Sequence, residues 1–176
     1  MRSSMNVKAS QKGFTLIELV VVIVILGILA VTAAPKFINL QSDARTATLQ
    51  AVKASMQSAA TIIHSKSLIA GNEDKASDGV TGAVKVVVNG VDTSINYGYP
   101  LGDYTAAIVA VNAGDWDDLL EIAADFSSVV IDGKYYVYPK DVPAPSDPIV
   151  AADNCYVAYT QATVNALPTY VVTDCI

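Results

Sequence analysis

The sequence contains a single histidine, and it has no glycine-rich phosphate loop. His64 is the one imidazole, and nothing in the sequence places a serine or cysteine nucleophile beside it, so no histidine-based relay is predicted. Gly79 and Gly82 stand alone and do not form a nucleotide-binding pattern. There is also no Asn-x-Ser/Thr glycosylation site. We therefore predict a protein that is not an enzyme and that carries no cofactor.

Basic residues are few: 11 lysines and arginines stand against 17 acidic residues, a formal net charge of −6. An acidic chain gains nothing from counterion release, so nucleic acid is not a predicted partner. The pairs Glu73/Asp74 and Asp117/Asp118 are interpreted as solvated loop and helix-start charges rather than catalytic carboxylates.

Calcium binding is an alternative to consider, because four carboxylates lie near one end of the predicted sheet. They are Asp141, Asp147, Asp153 and Asp174. Their spacing does not match an EF-hand loop, so no metal site is predicted.

A long segment without charge dominates the N-terminal part of the chain. Leu19 to Ala34 contains no charged residue, and with Phe14–Ile17 it makes about 21 residues, roughly 30 Å as a helix. A short leader with three basic residues precedes it. This pattern predicts a membrane-spanning helix with one carboxylate, Glu18, near its end. Such carboxylates are costly and therefore usually functional.

Two alternatives account for the same segment. A secretory signal peptide would have a basic start and a small-residue cleavage site at Val31-Thr32-Ala33. Its apolar core would then be longer than the usual 7–15 residues and would contain Glu18, and cleavage after Ala34 would leave Pro35 beside the cut. A plain membrane anchor is the second alternative, and it leaves Glu18 without a purpose.

The stretch Lys12-Gly13-Phe14-Thr15-Leu16-Ile17-Glu18-Leu19 resembles, position for position, the processing motif of type IV prepilins and their pseudopilin relatives. The resemblance implies cleavage between Gly13 and Phe14 and methylation of the new Phe14 amine by a membrane prepilin peptidase. It implies that Glu18 is needed for subunit docking, and it places Pro35 in the assembly helix.

Within the pilin family, three features resemble the MSHA (mannose-sensitive haemagglutinin) type: the apolar run that starts at Leu19, the Pro35-Lys36-Phe37 step and the Asp174-Cys175 ending. The implied organisation is a leader (1–13), a hydrophobic helix (14–35), its amphipathic continuation (36–71) and a globular head (72–176). Loss of the leader would remove Arg2, Lys8 and Lys12, and would change the net charge from −6 to −9.

The function that the resemblance implies is that of a major structural subunit of a type IV pilus. Precursors would wait in the inner membrane and polymerise into extracellular fibres for attachment to surfaces or host cells and for biofilm formation. The implied partners are further copies of the chain, the prepilin peptidase, the assembly machinery of the inner and outer membranes, and surface glycans. The alternative is a pseudopilin of a type II secretion system.

Cys155 and Cys175 are the only cysteines, and in an exported chain they are predicted to be oxidised to a disulfide. The closed loop of about 21 residues would contribute ~3 kcal/mol by the chain-entropy model. Two free buried thiols are the alternative. The pair favours a pilin, because major pseudopilins usually lack it.

The hydrophobic helix is predicted to continue past Pro35, with a kink or local melting there, and to end near Gly71. Its second half has an apolar stripe that should face the core: Leu49, Val52, Met56, Ala59 and Ile63. His64 is predicted to be partly exposed.

Beyond the helix, the fold is predicted to be α+β, with an antiparallel sheet on the second half of the helix. Hairpins are predicted at Asn89-Gly90 and Asp132-Gly133, a short helix at Trp116 and a helical turn at 103–113. The prolines of 139–148 predict an exposed loop. The last two strands are predicted at Tyr156–Thr160 and Tyr170–Thr173, tied by the cysteines.

Overall fold

The structure is a computed structural model, and it describes residues 13–77, 84–102, 113–114, 116–120, 124–147, 149–150 and 153–176. The predicted basic leader residues and most of the predicted helical turn at 103–113 lie outside these ranges. The chain forms two compact units, Met1–Leu40 and Gln41–Ile176. The helix α1, Leu16–Ala70, contributes to both.

Helix α1 ends where the sequence predicted. Gly71 adopts a left-handed φ of +66°, the Gly71 amide donates to the Leu68 carbonyl at 3.2 Å, and the Asn72 amide donates to the Ser67 carbonyl at 3.0 Å. These bonds satisfy carbonyls that the last helical turn leaves without intrahelical partners. Helical structure also continues through Pro35, so the local melting that was predicted as one outcome is not found.

The first sheet contains β1 (Lys85–Val88), β2 (Val91–Asn96), β3 (Tyr99–Pro100) and β4 (Ala113–Gly114). β2 pairs antiparallel with β1 and β3, and parallel with β4. The Asn89-Gly90 hairpin is confirmed, with φ values of +51° and +83° that suit a type I′ turn. Ala113 lies in a strand, so the predicted helical turn is wrong at that residue.

The second sheet has the order β5–β6–β7–β8 and is antiparallel throughout. Its strands are Phe126–Ile131, Lys134–Pro139, Tyr156–Thr160 and Thr169–Thr173. Asp132-Gly133 makes the predicted hairpin, with φ values of +51° and +69°. The α+β prediction is confirmed, although the sequence did not show that the strands divide between two sheets.

The prediction of an exposed loop over 139–148 is confirmed only in part. Pro143 is exposed, and Pro148 lies outside the described residues. Pro139 is instead the last residue of β6, and both Pro139 and Pro145 are buried. A proline at a strand end loses no essential ladder bond, so β6 can end on it, and the loop starts at Lys140.

The stripe on α1 packs as the core of the head. Leu49, Val52, Met56 and Ala60 join side chains of the second sheet, while Ile63 joins the first sheet. The predicted Ala59 is only half-buried and packs at the edge. Apolar side chains at spacings of three and four lie on one helical face, so the second half of α1 supplies hydrophobic surface to both sheets.

Buried aromatic groups connect the two sheets with hydrogen bonds. The short helix α2 (Trp116–Leu120) buries Trp116, whose indole Nε1–H donates to the Leu101 carbonyl at 3.1 Å. The Tyr159 hydroxyl donates to the Pro100 carbonyl at 2.6 Å. Because each apolar ring also satisfies its polar atom, these residues fix the two sheets to one another at the centre of the head.

Candidate functional site

The N-terminal unit presents a helix whose apolar side chains lie in the open. Phe14 is 89% exposed and Leu26 is 58% exposed. No part of the most apolar window of α1 is buried, and its mean hydropathy is 3.0. By length and composition α1 can cross a membrane. Large apolar surfaces of this kind mark contact with a membrane or with protein.

The start of α1 is held by a capping box that the sequence analysis did not identify. The Thr15 amide donates to Glu18 Oε2 at 2.8 Å, the Thr15 hydroxyl donates to the same oxygen at 2.6 Å, and the Glu18 amide donates to Thr15 Oγ1 at 3.3 Å. Thr at the N-cap with Glu three residues later is the sequence signature of this motif, so the Thr-x-x-Glu spacing was sufficient to find it.

This capping box changes the interpretation of Glu18. A carboxylate at a helix N-terminus is stabilised by the free amide groups and by the helix dipole. Glu18 therefore has a local structural role even in an isolated subunit, and the argument that a plain membrane anchor leaves it without a purpose no longer holds. Among the described residues both side-chain contacts use Oε2, so Oε1 is left for another partner.

Gly13 and Phe14 precede the cap in the predicted cleavage region. Both are exposed, and a side chain at Gly13 would meet no other atom within 4 Å. Within the described residues the fold therefore places no steric demand on a glycine at this position. Any requirement for glycine there comes from outside the folded subunit.

Pro35 lies inside α1 and cannot donate a hydrogen bond to the carbonyl four residues earlier. One turn before it, the Thr32 hydroxyl donates to the Leu29 carbonyl at 3.0 Å. This bond does not replace the one lost at the proline, whose acceptor would be the Val31 carbonyl. Helical structure nevertheless continues through Pro35.

The predicted disulfide is present between Cys155 and Cys175. It lies just outside the paired ends of β7 and β8, where the Cys155 amide also donates to the Asp174 carbonyl at 3.1 Å. The Cys175 amide donates to Thr46 Oγ1 on α1 at 3.0 Å. The disulfide therefore joins the ends of the two strands, and the hydrogen bond from Cys175 to Thr46 fixes the C-terminal extension to the second half of the helix.

Two of the carboxylates considered for calcium have other contacts. Asp141 forms an ion pair with Arg45. Asp153 accepts hydrogen bonds from the Ser146 hydroxyl at 2.6 Å and the Val150 amide at 2.8 Å, and these bonds lower the pKa of Asp153. The described residues contain no group of three or more His, Cys, Asp or Glu side chains arranged to hold a metal ion.

Asp117, predicted as a helix-start charge, lies in the first turn of α2. Its carboxylate accepts hydrogen bonds from the Ser128 hydroxyl at 2.9 Å and from the Tyr135 hydroxyl at 2.6 Å. It therefore connects α2 to strands β5 and β6, a structural role that the sequence did not reveal.

Comparisons with known proteins agree with the capped apolar helix. Residues 8–34 match the family model of the prokaryotic N-terminal methylation motif. A stretch of 48 residues is 52% identical to the "Type IV narrow pilus major component PilA5" of Thermus thermophilus. No solved structure matches the chain.

The PilA5 match covers 27% of this chain and 41% of that relative. The chain therefore spans less than half of the length of this relative, and the comparisons support a type IV pilin-like protein. A methylation motif on an exposed apolar helix is the combination that directs the functional proposal.

Proposed function

We propose that the chain is the major structural subunit of a type IV pilus, most similar to the MSHA type, and that it has no enzymatic activity. In this proposal residues 1–13 are the leader, 14–35 the hydrophobic assembly helix, 36–71 its amphipathic continuation and 72–176 the head. The supporting observation is an apolar helix that is exposed on all sides and capped by Thr15 and Glu18, within a matched methylation motif.

The precursor waits in the inner membrane with its apolar helix in the bilayer. The prepilin peptidase cuts between Gly13 and Phe14 and methylates the new amine. Mass spectrometry of material sheared from the cell surface should find Phe14 at the N-terminus, heavier by one methyl group. A mature N-terminus near Ala34 would contradict the proposal and favour a secreted protein released by signal peptidase.

Assembly transfers the apolar helix from the lipid to a fibre core made of the same helices. Exposed apolar area gains about 25 cal/mol per Å² when it is removed from water, so the helices cannot stay uncovered outside the membrane. The new Phe14 amine is positively charged near neutral pH. Glu18 of a neighbouring copy is its natural partner, and Oε1 is the oxygen that the capping box leaves for it.

The resulting fibres lie outside the cell and serve attachment to surfaces or host cells and biofilm formation. Their further partners are the assembly machinery of the two membranes and surface glycans. The disulfide at the C-terminal end supports the pilin over a pseudopilin of a type II secretion system. Electron microscopy with an antibody against the head separates the two: long labelled surface fibres support the pilus, and their absence in an expressing strain contradicts it.

A further inference from the structure

A cavity of about 420 Å³ opens within the unit Gln41–Ile176 and has no role in the proposed fibre assembly. Four segments surround it: the last turns of α1, the loop after α1 that carries Glu73 and Asp74, the turn between β2 and β3, and the loop between β7 and β8. Its volume lies within the range of small-molecule sites.

Two buried polar atoms at this cavity lack a protein partner. His64 Nδ1 and Glu73 Oε2 are both inaccessible to solvent, and neither has a hydrogen-bond partner among the described residues. Buried polar atoms without partners are uncommon in folded proteins, and each one costs free energy. Of the six such atoms among the described residues, these two belong to side chains that line one cavity, so a ligand bound there can supply contacts that the protein does not.

The position of His64 is closely defined by its neighbours. Its ring stacks on Tyr99 with centroids 4.3 Å apart and an interplanar angle of 6°. A side chain at Gly98 would come within 2.7 Å of His64 Nδ1, so the backbone of the turn also lies close to the imidazole. The ring stack and this close approach fix the position of the imidazole at the edge of the cavity.

The turn beside the cavity carries backbone strain. Tyr97 has a φ of +48°, in the left-handed region that tyrosine seldom adopts. The two other hairpin turns place Asn89 and Asp132 at the corresponding position, and these residue types tolerate that conformation. Tyr97 lines the cavity. Strain of this kind concentrates at ligand sites. A tyrosine in a conformation that suits asparagine or glycine therefore favours a role for its ring in the cavity.

The lining of the cavity has a distinct chemical character. Its carboxylates are Glu73 and Asp74, and the described residues that line it include no lysine or arginine. Exposed apolar side chains stand at its edge: Leu68, Val164 and Leu167. Negative charge next to aromatic rings suits a cation, and the apolar edge suits the methylene chain that carries it.

We propose that this cavity binds a primary ammonium group on an aliphatic chain. The ammonium donates its three N–H groups to Glu73, Asp74 and His64 Nδ1. It lies against the rings of Tyr97 and Tyr99, while its methylenes contact the apolar edge. A lysine side chain of another protein molecule and a free alkyl diamine share this chemistry.

The single histidine makes the test direct. The full chain in detergent micelles, labelled with ¹³C and ¹⁵N in histidine, gives one imidazole signal that needs no sequential assignment. Butylamine should shift this signal saturably. The concentration that gives half of the maximal shift should be at least roughly tenfold lower for butylamine than for the uncharged butanol. Equal responses to the two, or none to butylamine, would overturn the proposal. Putrescine and Nα-acetyl-lysine amide then distinguish the sources, since the natural class should bind more tightly.

Substitutions separate a binding role from a structural one. Glu73→Gln should weaken butylamine binding roughly tenfold and leave the thermal stability of the free protein unchanged or raised, because it removes an unpaired carboxylate. Asp147→Asn is the matched control: it makes the same charge change on an exposed loop and should leave binding unchanged.

Tyr97→Asn supplies a second, independent variant. It should raise stability, because asparagine suits the left-handed conformation, and should weaken binding through loss of the ring. If both variants bind butylamine as the wild type does, these residues do not form an ammonium site and the proposal fails.

Discussion

The two parts of helix α1 differ in how much apolar surface they carry and in where they bury it. Before Ala34 the apolar side chains surround the helix and are exposed, as Leu26 is at 58%. After Gln41 they form one stripe, and Leu49 in that stripe is fully buried. The second part completes its packing within its own chain, whereas the first part can bury its surface only in lipid or against other molecules. An exposed apolar helix in one subunit is therefore evidence about assembly.

The strongest way to sharpen this comparison is to separate the two roles of Glu18. Glu18→Gln keeps a side chain that can complete the capping box but removes the charge that would pair with the Phe14 amine. We expect processed subunits and a reduction in surface fibres of at least tenfold, since an unpaired amine in a dry fibre core is costly. Fibres are counted by electron microscopy in cells without wild-type subunits.

Thr15→Ala is the matched control for that experiment, because it removes the cap and keeps the charge. The cost should be about 1 kcal/mol of helix stability, with fibres still present. If Glu18→Gln assembles normally while Thr15→Ala does not, capping is the role of Glu18 and intersubunit charge pairing is not.

The same substitution placed in each part of α1 tests the comparison itself. Leu49→Ala should cost about 2–5 kcal/mol in the free energy of unfolding, because it leaves a cavity in the core of the head. Leu26→Ala should change that quantity by less than ~0.5 kcal/mol, since the side chain is exposed in the subunit. Chemical denaturation of the detergent-solubilised chain measures both. Similar losses from the two variants would show that both parts are buried in the subunit.

The disulfide stabilises the head alone. Cys155→Ser with Cys175→Ser should lower the free energy of unfolding of the head by ~3 kcal/mol, because the loop of 20 residues loses its closure constraint. The helical content of the N-terminal segment should not change. Circular dichroism during thermal unfolding measures the first effect. Quantitative thiol labelling of both cysteines in the untreated native protein would instead contradict the bond.

The smallest expected effect is on the stability of the head at alkaline pH. Burial, and then the nearby Tyr99, raise the pKa of Tyr170 above its usual value. The unfolded chain therefore loses this proton first, so stability is complete below about pH 10 and falls as the pH rises further. Tyr170→Phe should flatten that decline, and Tyr138→Phe serves as a control for the loss of a hydroxyl. An unchanged alkaline profile in Tyr170→Phe would show that this group is not responsible.

Local chemistry explains which features were predictable from the sequence. The hairpins at Asn89-Gly90 and Asp132-Gly133 and the end of α1 at Gly71 follow from φ preferences of two or three residues, and all three are confirmed. The capping box was equally local and was missed although Thr15 and Glu18 display it. Pro139 was assigned to a loop, because a proline at the end of a strand and one beyond it look alike in the sequence.

The sequence by itself determined the apolar N-terminal helix, the core stripe, the cysteine pair and the α+β class, since each depends on periodicity or on the chemistry of a few neighbouring residues. Only the tertiary structure decided the division into two sheets, the hydrogen bond from Trp116 to Leu101 and the cavity that joins His64 to Glu73 and Tyr97. These features bring together residues that are distant along the chain. Their proximity depends on how the strands pair and pack, and that is a property of the whole core.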